Sequence, residues 1–533
     1  MGPKAKPCSV RLRRGINERL PVMFKRFLTT SLALLLLAGS VCAQYSVSVP
    51  VTLATVPKLV AGSGFSGATP QPAAVGNSGA AGYTENAIAR WDVVPDQAVS
   101  GTLQIGVVDF HMEGTRGVAF SLDGGNWVHA TRMMLNPATG VVEHCAIVDA
   151  TTLSDGRHEV RAIIYPISGL PRVLQGSSYS LDGVQSLYLF ANSHGTYNPT
   201  VIYVNASTGS NSNNGLTPGA AVQTIAKGLD LVSNGGTVRL MTAGAWTLAT
   251  VSSGPRSSAD YNYANWTTLE ADSSLDKSQV TLTGDGRQHI NHLRLHNLTV
   301  DAHSVYVYTE VGFAAWADNV AFTSSGTWTE EMNDGPLRNY QSGGTYFTTC
   351  AFSNMFFGPL VADIIRNVTC TQMSGDIVND CRMVANVTIS YCRQQVITSH
   401  NDICQCFGTN SNGIVYGLTA TDVTSYQDIF LDKDQSSNFR DMAFVNYSVV
   451  NNENGSSTQF ASAERHIYLK NVSIPNESML WRTDFVPDGN GNSVPFSGTN
   501  FKLEGCTVNA ATYTALQSPP AGVTATGTVN SGQ

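Results

Sequence analysis

A short phrase recurs through the second half of the chain: Asn, an apolar residue, a small residue, then a second apolar residue. It appears as Asn297-Leu298-Thr299-Val300, Asn319-Val320-Ala321-Phe322, Asn367-Val368-Thr369-Cys370, Asn386-Val387-Thr388-Ile389, Asn446-Tyr447-Ser448-Val449 and Asn471-Val472-Ser473-Ile474. Degenerate copies begin at Thr349, Gly417 and Gly505. Successive Asn positions are 22, 30, 18, 19, 31, 29, 25 and 34 residues apart. One coil of a β-solenoid takes about that length, with loops absorbing the variation. The apolar–small–apolar alternation is that of a strand with one buried face. Cys350 and Cys506 fill the slot of Leu298 and Val320, and Cys370 fills that of Val300, so these thiols are expected to be buried as small hydrophobes. The Asn column is expected to stack at turns.

Upstream the pattern differs. Alternating runs such as Leu103–Val108, Val118–Leu122 and His158–Tyr165 are separated by Asp123-Gly124-Gly125, Asn136-Pro137, Asp155-Gly156 and Ser168-Gly169. Strands at this spacing predict an antiparallel sandwich over 93–195. The Ala/Gly/Ser/Val/Pro-rich segment 44–92 reads as a linker or a few edge strands. From Val201 a strand, a polar loop (207–215) and Pro218 lead to Thr224, the predicted N-cap of a helix over 224–233. Ile225, Leu229 and Val232 share one face of that helix, and Gly235-Gly236 stops it.

The order Tyr203-Val204-Asn205, Gly209-Ser210-Asn211-Ser212-Asn213-Asn214-Gly215, Pro218, Thr224-Ile225 resembles the entry segment of the right-handed parallel β-helix (pectate-lyase-like) superfamily. That resemblance implies a helix plugging the open end of the coil, which would otherwise expose core and strand edges. The run Phe120-Ser121-Leu122-Asp123-Gly124-Gly125-Asn126-Trp127 resembles the immunoglobulin/fibronectin-like accessory domains of secreted bacterial proteins. The expected fold is therefore all-β: a sandwich over 93–195, then a right-handed parallel β-helix over 200–515, then a flexible tail over 516–533.

Residues 1–43 read as an upstream extension and a cleaved secretory signal. Met23 opens it, Lys25 and Arg26 are its positive region, Phe27–Ala38 its apolar run, and Val41-Cys42-Ala43 its cleavage site. The expected location is secreted or at the cell surface. No other stretch approaches the ~20 apolar residues of a spanning helix. The chain of 533 residues has a net charge of −8, and removing the eight basic residues and one Glu of 1–43 leaves −15. Nucleic acid would meet a repulsive field. With 13% charged and 42% hydrophobic residues, wholesale disorder is excluded. Of ten cysteines, Cys8 and Cys42 leave with the leader, and the absence of Cys-x-x-Cys argues against a zinc ribbon.

Candidate chemistry lies in a second column. Asp376-Ile377, Asp402-Ile403 and Asp428-Ile429 are spaced by 26 and 26. On successive coils the Ile residues would face inward and the Asp residues outward, a carboxylate ladder with its ends ~9.6 Å apart. His400 falls on the same face. Stacked carboxylates repel, raising a pKa or recruiting a cation; the bland alternative is turn-forming surface Asp. Asp376, His400, Asp402 and Asp428 are the catalytic candidates. Asp380, Arg382, Asp432, Lys433 and Trp481 are the substrate-binding candidates. Ca²⁺ on Asp376, Asp402 and Asp428 is an option rather than a requirement.

Two reactions on a polysaccharide partner fit: glycoside hydrolysis by paired carboxyls, and metal-assisted β-elimination from a uronic acid polymer. The Asn-Thr-Asp, Asp-Asp, Gly-His-Gly and Arg-Ile-Lys motifs of pectin-hydrolysing relatives are missing, and Ser399-His400-Asn401-Asp402 is a loose echo of the Asp-Pro-His signature of alginate epimerases. A non-catalytic surface or adhesion protein is the competing class. Walker, dinucleotide, His-Glu-x-x-His and Gly-x-Ser-x-Gly motifs are absent.

Overall fold

The structure, a computed structural model, describes residues 56–530 apart from 77–84, 177–184, 249–260, 284–285, 303–304, 310–313, 326–336, 340–343, 360, 394–400, 407–410, 426, 432–439, 453–456, 461–464, 477, 482–498 and 520. The expected leader lies outside the described residues. Among those described, no helix is long and apolar enough to cross a membrane.

Two sheets form the sandwich. One runs Ile88–Trp91, Thr102–Phe110, Val141–Asp149, Met133–Asn136; the other runs Gln97–Val99, Leu187–Ala191, Gly156–Pro166, Thr115–Leu122, Val128–Ala130, with Arg172–Leu174 added beside Gly156–Pro166. Alternate residues of each strand enter one core, where Ala89, Trp91, Ile105 and Val107 meet Phe120, Leu122, Ala162 and Ile164. The hairpin between Thr115–Leu122 and Val128–Ala130 turns at Asp123 (φ 47°) and Gly124 (φ 70°). Two positive φ angles give the type I′ geometry that suits the twist of paired strands.

From Val201–Val204 to Val529–Asn530 parallel strands stack coil upon coil as a parallel β-helix. The helix Ile225–Leu231 caps its first coil, with Thr224 Oγ1 accepting from the Lys227 amide at 3.3 Å. Ile225 and Leu229 are buried, and a Cβ at Gly228 would come within 2.8 Å of Val238, so the cap sits tight on the coil. The repeat phrase describes its columns. Leu298, Val320, Cys350, Val368, Val387, Leu418, Tyr447, Val472 and Cys506 are no more than 2% exposed. Cys370, Ile389, Ala420 and Val449 lie in register across four coils. The Asn residues take left-handed backbone, with φ between 50° and 56° from Asn297 to Asn471, a conformation Asn tolerates better than most residues. Their amides bond coil to coil: Asn319 to Asn297 at 3.2 Å, Asn386 to Asn367 at 3.1 Å, Asn471 to Asn446 at 3.0 Å.

None of the eight described cysteines is in a disulfide, and all are buried. Burial pushes the Cys350 and Cys392 thiols up to about 12 and Cys506 to about 11. The segment after 515, expected as a tail, instead adds a coil: Val523–Thr526 pairs with Phe501–Glu504, and Val529–Asn530 with Thr507–Val508. Its Val523 supplies the apolar residue that covers the last described core layer.

Sandwich and β-helix share a third core. On the outward side of the helix, Tyr346, Ile364, Met383, Ile414, Ala443 and Tyr468 form one column in register. They pack against Ile88, Val108 and Val141 of the four-stranded sheet and against Met112, just past the end of its strand Thr102–Phe110. Polar clamps flank this seam. The Asn412 amide accepts from Ala89 N at 2.7 Å and donates to Ala89 O at 2.6 Å. Arg366 donates to Asp92 O at 2.6 Å, and Trp266 Nε1 to Pro95 O at 2.7 Å.

Candidate functional site

The three Asp-Ile segments lead into one short parallel sheet: Val378–Asn379, Cys404–Cys406, Ile429–Leu431, then Ser457–Phe460 and Ser478–Trp481. Val378 pairs with Cys404, an offset of 26, but Cys404 pairs with Ile429, an offset of 25. Asp376 therefore stands in register with Asp402, while Gln427, not Asp428, continues the column. The even 26-residue spacing falls one residue out of phase because the second coil is one residue shorter between its strands. The expected three-carboxylate ladder with widely separated ends does not form.

The Ile residues face inward as expected, each at most 1% exposed, but the carboxylates are not displayed outward. Asp376 is 8% exposed, Asp402 0% and Asp428 1%. Asp428 accepts from Ser425 Oγ at 2.9 Å and Asn452 Nδ2 at 3.0 Å, an internal arrangement that braces its coil against the next. Asp376 accepts from the Asp402 amide at 3.2 Å and from Asn379 Nδ2 at 2.9 Å, and Asn379 also donates to Gln405 at 3.1 Å. Burial raises the Asp376 carboxyl to about 6, against the pull of those two donors. It is a carboxylic acid poised close to neutrality at the margin of the surface.

Of the expected substrate ligands, Asp380 is half-buried in left-handed backbone (φ 51°) just after Asn379. Arg382, expected to bind substrate, is instead 7% exposed and ion-paired with Asp363, which also accepts from the Gly344 amide. Its charge is used inside the fold and does not face a ligand. Trp481 ends the strand Ser478–Trp481, in register with Phe460. His400, Asp432 and Lys433 lie outside the described residues.

Nor do the three Asp carboxylates converge on a common point. Among the described residues, the one set of three acid, histidine or cysteine side chains whose ligand atoms all lie within 4.8 Å of one another is Glu85, Asp441 and His466, at the seam. There Arg172 pairs with Asp441 and Asn500 donates to Glu85 at 2.8 Å, so a protein cation already balances the acids.

The sequence did not point to the open face formed by the second half of each long coil strand. Thr369, Thr371, Thr388 and Thr419 are exposed along it, and Tyr391 is 46% exposed beside the Arg393–Asp422 ion pair. The small residue at the centre of the repeat phrase was the available signal, since at Thr369, Thr388 and Thr419 it marks the exposed side of the strand.

No family model and no curated protein matches the chain. Among solved structures it is similar to a GH136 lacto-N-biosidase from Eubacterium ramulus, at 8% identity and a TM-score of 0.32, over 62% of this chain and 67% of that one. It is also similar to the catalytic domain of a GH87 α-1,3-glucanase in complex with nigerose, at 11% identity and a TM-score of 0.28, over 81% of this chain and 90% of that one.

Proposed function

We propose that the protein is an exported polysaccharide-processing protein and that Asp376 is its acid group. One observation carries this: Asp376 lies in register with Asp402 on the adjacent coil while burial holds its own carboxyl protonated up to about 6. A general acid for glycosidic oxygen needs such a proton reserve, and tuning of this kind is how carboxyls are divided between acid and partner roles. Adjacent strands are ~4.8 Å apart, nearer the ~5 Å carboxyl separation of retaining glycosidases than the wider inverting one. Loss of Asp428 from the column removes the wider pairing. On this reading Asp376 protonates the leaving oxygen and Asp402 is the partner carboxylate.

The complete burial of Asp402 and Asp428 favours a second reading, a non-catalytic glycan-binding or adhesion protein in which the β-helix is a spacer. A polysaccharide panel, run with and without Ca²⁺ and assayed for reducing ends and for unsaturated products, separates the two. Products lost in Asp376→Asn at a melting temperature no lower than the parent's support the enzyme. Retention of polymer with no product from any substrate supports the binder.

A further inference from the structure

The seam occupies the outer face of the four-stranded sheet, whereas the outer face of the other sandwich sheet is partly covered by the segment 61–76, where Gly67 O accepts from Arg161 Nη1 at 2.6 Å and the Arg161 guanidinium lies over the Phe65 ring. On it Ala119, Ile163 and Val173 pack with the partly buried rings of Trp127 and Tyr165. At one end of this face lies a cavity of about 270 Å³, whose lining includes Val75, Arg116, Gly117, His129 and Tyr165.

Local backbone geometry makes this cavity. Thr115 pairs with Pro166 and Gly117 with Tyr165, leaving Arg116 as the extra residue of a β-bulge. Bulges re-aim side chains, and here the bulged residue is the cation at the cavity. Arg116 Nη2 donates to Ile167 O at 3.1 Å, which braces the guanidinium there. Gly117 has φ +148°, and a Cβ on it would lie 2.4 Å from Ala130 O. No larger residue fits, so this part of the lining stays bare. The His129 and Tyr165 rings stand 6.2 Å apart at 33°, forming one aromatic wall. No carboxylate lines the cavity among the described residues, although the chain as a whole has a net charge of −8.

We propose that this cavity binds a single acidic sugar residue of a polysaccharide, its ring against Tyr165 and His129 and its carboxylate toward Arg116. The volume is just below the usual range for small-ligand sites, roughly 300–1,000 Å³, which suits one ring and not an oligomer. An aromatic wall takes the apolar face of a sugar ring, and a guanidinium recognises a carboxylate by charge-assisted hydrogen bonds. The aliphatic side of Val75 leaves the rest of the ring in apolar contact. The site gives the β-helix a second hold on the same polymer, and so rests on the polysaccharide reading above.

The test is affinity electrophoresis of the whole chain through gels containing polyglucuronate, polymannuronate or neutral hydroxyethyl cellulose. Retardation by at least one uronate polymer and not by the neutral one is expected. Arg116→Ala and Tyr165→Ala should weaken it roughly tenfold, while Tyr165→Phe, which keeps the ring, should retain it. Asp376→Asn should be retarded like the parent, so loss of cleavage and loss of this site are told apart. Melting curves accompany each variant; if Arg116→Ala fails to fold, Arg116→Lys replaces it, keeping charge without the fork and giving an intermediate retardation. The proposal is overturned if neither uronate polymer retards the parent chain. It is equally overturned if the neutral polymer does so as strongly, or if folded Arg116 variants migrate like the parent.

Discussion

Arg172 of the sandwich is ion-paired with Asp441 of the β-helix, and both side chains are less than a tenth exposed. The same carboxylate receives His466 Nδ1 at 2.8 Å, and the Arg172 Nε–H goes to Ala87 O. Burial alone would raise the Asp441 carboxyl, but His466 and Arg172 together hold it below its ordinary value. The two domains thus meet through a buried ionic group as well as through an apolar column.

Removing one partner of such a pair strands a buried charge. Arg172→Met should therefore cost about 3–5 kcal/mol, read as a lower urea midpoint for the whole chain. Asp441→Asn on that background removes the stranded charge and keeps a residue that accepts left-handed backbone (φ 57° here), so the double variant should recover most of the loss. Additive losses in the double variant would show that the pair is not a unit.

A second buried pair should make stability fall as pH rises. Asp92 and Glu143 are both 0% exposed. Arg366 Nη1 lies 3.7 Å from Asp92 Oδ2, too far for a close hydrogen bond, Glu143 Oε2 makes no close hydrogen bond within the protein, and Glu143 Oε1 accepts from Asn136 at 2.6 Å. One proton held between the carboxyls would remove one of the two buried charges and join the pair by a hydrogen bond. Burial, and for Glu143 the adjacent Asp92 charge, raise their pKa values, with Arg366 opposing. Gly106 makes room, since a Cβ there would fall 1.8 Å from the Glu143 carboxyl carbon. The folded state binds a proton that the unfolded chain releases above its ordinary carboxylate range. The stabilisation is therefore complete at low pH and is lost as pH rises, by up to about 1.4 kcal/mol per pH unit. Urea midpoints between about pH 5 and pH 9 should slope downward for the parent and much less for Glu143→Gln, whose amide donates permanently. Parallel slopes would sink this account.

Much of the β-helix was legible because every coil offers the same environment to the same letter. Leu298, Cys350 and Cys506 could be placed by analogy along one column, and the Asn residues by the turn they share. The site was less legible. A one-residue difference in coil length is invisible in a sequence whose loops vary freely, yet it moves Asp428 out of the Asp376–Asp402 column. The seam left a clearer trace. Ile364-Ile365, Met383-Val384, Ile414-Val415 and Ala443-Phe444 are consecutive apolar pairs, where a strand with one face in water would alternate. Both members of each pair are buried, one toward the helix core and one toward the sandwich. The cavity on the sandwich rests on a bulge at Arg116, which no residue pattern announces.

The Asn column makes a prediction at its irregular member. Thr349 occupies it with φ 57°, between Asn319 and Asn367 on the neighbouring coils, and is exposed. A β-branched residue is costly in that conformation, and its hydroxyl cannot extend the amide ladder in both directions. Thr349→Asn should raise stability by about 1 kcal/mol, and Thr349→Gly by less, since glycine relieves the backbone but adds no bond. Chemical denaturation of the three proteins checks the order. A Thr349→Asn protein no more stable than Thr349→Gly would mean the ladder contributes only backbone geometry, and one no more stable than the parent would sink the account.

Asp376 ties stability to the proposed chemistry with opposite signs. A general acid must be protonated, and this carboxyl is held at about 6, so turnover should decline on the alkaline side of that value. Asp376→Asn should lower turnover at least ~100-fold. In the folded protein the raised pKa favours the protonated form, a stabilisation fully present below the ordinary value of 3.8 and lost as pH rises through about 6. Near neutrality the parent therefore carries an unfavourable buried charge. The Asn variant, inactive, should be as stable or more so, by about 3 kcal/mol at most. Asp402→Asn makes the contrast, because it leaves intact the backbone amide that donates to Asp376 at 3.2 Å. It should remove the partner carboxylate without moving the alkaline limb of any residual activity. Pairing pH–rate profiles with urea midpoints for the three proteins tests both halves. An Asp376→Asn protein that keeps its turnover, or loses it only by unfolding, would exclude this carboxyl from the reaction.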